Sequence, residues 1–165
     1  MARTADLVFA GTVASTWTAA APGTIITRVT FRDLAFGKGH APGDSLILNV
    51  NGGTLLGRTV DDGEEPEFHA GDRCIVFARG DLGSFANHYR AVVGGWQGVF
   101  NVAYDSTSGM TGVRQRYELP LAAINGEGVV VADGKLAFTR LSEKDFLAAV
   151  GRIAEHPKPT ATDSL

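Results

Sequence analysis

Short β-rich runs separated by glycine-rich turns predict a single domain built mainly from antiparallel strands. Three observations carry this expectation. Apolar and polar residues alternate with period two in the clearest segment, where Ile25, Thr27, Val29 and Phe31 interleave with Ile26, Arg28, Thr30 and Arg32, so one face is expected to be buried and the other wet. The 165 residues include 21 glycines, the residue that supplies positive φ in tight turns. Strands do not alternate with helices, which excludes a parallel sheet.

The elements follow in order. Residues 7–13, Leu-Val-Phe-Ala-Gly-Thr-Val, read as a first strand that leads through Trp17 into a small-residue loop, Ala19-Ala20-Ala21-Pro22-Gly23. The alternating segment is the second strand. It runs through Leu34 to Phe36 and is broken by Gly37-Lys38-Gly39-His40-Ala41-Pro42-Gly43. Residues 45–50 form a third strand, and Asn51-Gly52-Gly53 carries a hairpin-type turn signal. Residues 54–60 read as a fourth strand, ended by the acidic loop Asp61-Asp62-Gly63-Glu64-Glu65-Pro66. Residues 73–78 are apolar enough for a central strand. Residues 89–93 and 98–102 form two more, joined by Gly94-Gly95-Trp96-Gln97. Residues 129–131 and 135–138 flank Ala132-Asp133-Gly134 as a small extra hairpin. The period then changes to that of a helix. Ser142 stands as an N-cap with Asp145 three residues on, and Phe146, Leu147, Val150 and Ile153 share one face before Pro157 forbids continuation. The polar tail from Lys158 onward is expected to be disordered. Val8, Ile25, Val29, Phe31, Leu46, Leu48, Val76 and Phe100 are the expected core.

Composition narrows function by exclusion. The formal charge is −3, without the basic surplus that a nucleic-acid binder uses to neutralise phosphates. No polybasic patch for a membrane surface is present, and no apolar stretch approaches the roughly 20 residues of a membrane span. The single cysteine, Cys74, cannot form an internal disulfide. No secretory leader is visible ahead of the first strand.

Catalytic motifs are missing. No Gly-x-Ser-x-Gly elbow or Cys-x-x-Cys occurs, and His40, His69, His88 and His156 lack zinc-ligand spacing. His69 and Asp72 read as a solvated loop rather than a metal site, and Cys74 as an inert core thiol. The acidic run at 61–65 lacks the alternating ligands of a calcium loop and reads as solvated. No cofactor or metal is expected. The most unusual string is Gly94-Gly95-Trp96-Gln97-Gly98. Its bland reading, and the favoured one, has Trp96 covering one end of the strand structure. Its functional reading has Trp96 and Gln97 contacting a partner, because tryptophan is enriched among binding hot spots.

Residues 5–13, Ala-Asp-Leu-Val-Phe-Ala-Gly-Thr-Val, are similar to the opening strand of the tissue inhibitors of metalloproteinases and related netrin-like modules. Phe36-Gly37-Lys38-Gly39 and Gly71-Asp72-Arg73-Cys74-Ile75-Val76-Phe77 follow in the matching order. Residues 68–77, with Gly94-Gly95-Trp96-Gln97-Gly98-Val99-Phe100, resemble still more a group of uncharacterised bacterial exported proteins with this domain. The resemblance spans roughly residues 5–102. It implies an OB-fold-like antiparallel Greek-key barrel, here with a small extra hairpin and one C-terminal α-helix. It also implies export to the periplasm, cell surface or medium, with a leader missing from this sequence; a cytoplasmic protein is the other reading of the abrupt start. The inhibitors begin with a Cys-x-Cys that chelates the protease zinc and are rich in disulfides. This chain begins Met1-Ala2-Arg3-Thr4, so zinc-chelating inhibition does not carry over to any residue here.

The expectation is therefore a barrel domain with hairpin extension at 1–140, a packed helix at 141–155 and a disordered tail at 156–165. Its expected function is that of a non-enzymatic exported module of unknown ligand that binds a protein or peptide, a protease being one candidate partner, with Trp96 and Gln97 as contact residues. An enzyme with an unrecognised site is the first alternative and needs a cleft with convergent titratable groups. An oligonucleotide-binding barrel is the second, opposed by the acidic balance.

Overall fold

In the computed structural model, residues 1–61, 63–85, 91–106, 109–115, 121–124, 130–132 and 141–155 are described. The expected strand at 89–93, the hairpin at 129–138 and the tail therefore fall wholly or partly outside the described residues. The strands are β1 (Leu7–Ala21), β2 (Thr24–Lys38), β3 (Ser45–Asn51), β4 (Gly53–Leu55), β5 (Arg58–Val60), β6 (Arg73–Ala78), β7 (Val99–Asp105), β8 (Met110–Gln115), β9 (Leu121–Ile124) and β10 (Val130–Ala132), followed by one helix, α1 (Glu143–Glu155). Six of them form one antiparallel sheet in the order β3-β2-β1-β6-β7-β8. The mainly β class with one C-terminal helix is as the sequence predicts. The closed barrel is not formed: β3 and β8 are the two edges and do not pair with each other. Asn49 N donates to Leu82 O at 2.9 Å and Val113 N to Leu141 O at 3.1 Å, so each edge is met by a loop instead of a strand.

Several boundaries differ from expectation, each because pairing overrides local composition. The small-residue loop at 19–23 is strand as far as Ala21, since Trp17↔Arg28 through Ala21↔Thr24 continue the β1–β2 ladder. Only Pro22-Gly23 turns, with Gly23 at φ 77°, as the third position of a type II turn requires. The single strand expected at 54–60 is two strands, β4 and β5, folded on each other about Leu56-Gly57. Asn51-Gly52-Gly53 does not pair β3 with β4, which lie in separate sheets. β10 pairs with β9. Neither β8 nor β9 was expected.

Val8, Ile25, Val29, Phe31, Leu46, Leu48, Val76 and Phe100 are all buried, but not in one core. Val29, Phe31, Leu46, Leu48 and Val76 join Phe9, Val13 and Phe68 on one side of the sheet. Val8 and Phe100 join Ile75, Phe77 and the helix residues Phe146, Leu147 and Val150 on the other. β1 and β6 are thus buried on both faces, which is why their sequences read as near-continuous apolar runs. Edge-to-face ring pairs knit both layers: Phe9–Phe31 at 5.1 Å and Phe31–Phe68 at 5.5 Å on one side, Phe77–Phe100 at 5.6 Å and Phe77–Phe146 at 6.2 Å on the other.

A bulge sets which side chains reach which layer. Between Ala10↔Ala35 and Thr12↔Arg32, two residues of β2 oppose Gly11, and Asp33 takes φ 53°. The extra residue flips the parity of β2, so Leu34 and Phe36 continue the layer of Phe31 while Ala35 turns to the helix side. Arg73 clamps this bulge. Its Nη1 donates to Asp33 O at 2.6 Å and to Thr12 Oγ1 at 3.3 Å, and its Nε and Nη2 hold Glu143 at 2.9 and 2.6 Å. The helix is capped as its sequence predicts, with Asp145 N donating to Ser142 Oγ at 3.1 Å.

Candidate functional site

The Gly94–Gly98 string is an excursion from a strand. Ala78 pairs with Val92 and Val76 with Val99, so the segments on either side of it are consecutive parts of the same β6 edge. The sequence suggested two strands joined by a turn. The structure instead has one ladder from which five residues, Gly94–Gly98, loop out. Four of them, Gly95–Gly98, form a single 3-10 turn. Glycine is needed there for space as well as for dihedral. A Cβ on Gly95 would lie 2.2 Å from Glu64 O, and one on Gly98 would lie 2.2 Å from Val93 O, while Gly94 and Gly95 have φ 76° and 58°.

The acidic loop packs onto this turn. Trp96 N donates to Glu64 O at 3.0 Å, and Gly63 N to Asp61 Oδ1 at 2.8 Å, which folds the loop on itself. Trp96 is partly buried and Gln97 is exposed. Together they wall a cavity of about 380 Å³ whose other sides include Glu64, Glu65, Arg79 and Val92. A second cavity, of about 360 Å³, lies beyond Glu65 and is lined by Asn51, Thr54, Thr59, Asp61 and Phe68 among others. Glu65 borders both. The two sequence-predicted residues are thus brought together at one end of the molecule. Glu64 and Glu65, read from the sequence as part of a solvated acidic loop, join them, as does Arg79, which nothing in its local sequence singled out.

Other candidates fall elsewhere. His69 Nδ1 stands 3.5 Å from Asp72 Oδ2, both largely exposed, and Asp72 Oδ2 also accepts from His69 N at 3.3 Å. No group of three or more His, Cys, Asp or Glu side chains among the described residues could hold a metal ion. Cys74 is buried in the Phe31 layer, with Sγ 3.7 Å from Asn101 Oδ1. His40 is exposed, and His88 and His156 are outside the described residues. Arg73 is held above its ordinary pKa chiefly by its hydrogen bonds to Glu143, against the opposing effect of burial. No described helix is long and apolar enough to cross a membrane. No known protein family, no curated protein and no solved structure matches this chain.

Proposed function

We propose that the chain is a non-enzymatic, exported binding module that docks a protein or peptide at the end formed by the Gly94–Gly98 turn and the 61–67 loop. The observation that carries this reading is the indole of Trp96. It walls an open cavity between side chains of both charge signs and is only partly covered by its own chain. A large, rigid aromatic beside charged groups is the composition typical of interface hot spots. Loops on a rigid sheet are also the usual place for recognition. The proposed fold is OB-like with Greek-key connections. It is supported by the central position of the long β1 between β2 and β6 and by loops that cover both sheet edges.

The test compares wild type with Trp96→Ala as bait against envelope and secreted fractions of the source organism, with captured species identified and their affinities measured. The expected result is loss of about tenfold or more in affinity for a captured species, with stability nearly unchanged. A stability loss of several kcal/mol with capture intact, the behaviour of a packed plug, would reject the proposal. A second reading, an enzyme with an unrecognised site, rests on the same cavity, since Glu64, Glu65 and Arg79 place acid–base groups around one volume. Turnover of a small hydrolase substrate panel that is lost in Glu65→Gln would favour it.

A further inference from the structure

One arginine of the sheet has aromatic rings for neighbours and no acid. Trp17 of β1 stands directly opposite Arg28 of β2, and Asn49 of β3 stands opposite Arg28 on its other side. This row lies on the face turned away from the Phe31 layer, because Val29 and Phe31, of the other parity along β2, belong to that layer. The 82–85 segment wraps the β3 edge beside it. Leu82 packs into the Phe31 layer, Asn49 N donates to Leu82 O at 2.9 Å, and Asn49 Nδ2 donates to Gly83 O at 3.0 Å. Phe85 is thereby carried to Arg28. Arg28 Cζ lies 5.4 Å from the Trp17 ring centroid and 4.9 Å from that of Phe85, within the range of cation–π attraction.

Ring contacts hold the guanidinium but leave its N–H donors for a planar acceptor. Arg73 uses its donors on Glu143, Asp33 O and Thr12 Oγ1, and Arg32, the next arginine along this face of β2, stands 3.7 Å from Asp33. The Arg28 side chain makes no hydrogen bond or ion pair among the described residues. The rings are open as well: Trp17 is 51% exposed and Phe85 40%, and Ile47, on the same face of β3, is exposed beside them. A restrained cation with free donors among uncovered apolar groups suits a single carboxylate flanked by apolar side chains. A nucleic-acid strand needs a track of cations along its backbone, and the next arginine here already has an acid beside it. We propose that this face binds an acidic protein segment, whose carboxylate pairs with the N–H fork of Arg28 and whose neighbouring apolar residues cover Trp17, Phe85 and Ile47. The rings already restrain Arg28, so pairing costs less rotamer freedom than at an ordinary exposed arginine. The site shares no residue with the Gly94–Gly98 end and does not rest on that end binding anything.

The chain has two tryptophans, Trp17 and Trp96, so their indole N–H signals in nitrogen-15 NMR report this face and the Gly94–Gly98 end separately. The test titrates the full chain with the blocked peptide acetyl-Ala-Phe-Glu-Leu-Ala-amide and with its Gln counterpart. The Glu peptide is expected to shift the Trp17 signal with a Kd of about 1 mM or tighter, the range of so small a contact, and to leave the Trp96 signal in place. The Gln peptide is expected to bind about tenfold more weakly or worse. Arg28→Gln, which keeps a stem over the rings, is expected to bring the Glu peptide down to the level of the Gln peptide. Arg28→Lys, which keeps the charge without the fork, is expected to fall between. The comparison of the two peptides on wild type needs no variant to fold. A Trp17 signal that stays still up to about 10 mM peptide, equal binding of the Glu and Gln peptides, or unchanged binding by Arg28→Gln would each overturn the proposal. So would an oligothymidylate that shifts Trp17 at lower concentration than the Glu peptide, because the face would then be a nucleic-acid site.

Discussion

The helix-covered side of the sheet and the glycine-rich end are held by different kinds of contact, although β6 contributes to both. On the helix side, Ile75 and Phe77 meet Phe100, Phe146 and Val150 in a dry layer of rings and branched chains, and Arg73 ties the first turn of α1 to the β2 bulge. At the other end, Ala78 pairs with Val92 and the chain then leaves the ladder. The acidic loop is fastened there by the backbone bond from Trp96 N to Glu64 O, and two cavities remain open. A close-packed layer changes little when a partner arrives, while loops carried on a rigid sheet are the usual place for recognition. The difference assigns the frame to the helix-covered side and leaves the glycine-rich end as the region proposed for recognition.

The largest effect is expected where the frame is driest. Phe146→Ala, at a residue with no exposure, is expected to lose about 3–5 kcal/mol in urea unfolding; a loss under about 1 kcal/mol would mean that the helix is not part of the frame. Gly95→Ala combines a left-handed φ with a Cβ 2.2 Å from Glu64 O and is expected to lose about 3 kcal/mol from strain and overpacking. If it proves neutral, the acidic loop moves aside easily and the end is softer than its hydrogen bond implies. Arg73→Met removes the clamp between bulge and helix, at a pair whose side chains are 24% exposed. The loss of charge-assisted hydrogen bonds is expected to cost about 2 kcal/mol, with hydrogen exchange rising first in α1. The smallest effect is that of Ser142→Ala, which removes the cap on Asp145 N and is expected to cost about 1 kcal/mol by thermal unfolding.

What could be read beforehand was whatever leaves a local signature. The alternation in residues 25–32 placed Val29 and Phe31 inside, and the spacing of Phe146, Leu147 and Val150 together with Ser142 located α1 and its buried face. β8 was missed because Met110–Gln115 is polar and buries little beyond Val113. β4 and β5 were read as one strand because Leu56 stands where Asn, Asp or Gly usually marks such a turn. Trp96 and Gln97 were picked out as candidates by their unusual glycine-flanked string alone.

Period, caps and glycine positions therefore determined the class, the helix and the most unusual loop, since these depend on residues a few positions apart. Which faces were buried twice, and which side chains met at the cavity, depended on segments far apart in the chain. Whether the sheet closed rested on the same kind of long-range contact. Glu64 reached Trp96 only because the 61–65 loop and the β6 edge converge, and the parity of Leu34 and Phe36 rested on one extra residue opposite Gly11. Hydrogen bonds between distant backbones are made by groups that every residue carries, so their pairing leaves no mark in the sequence.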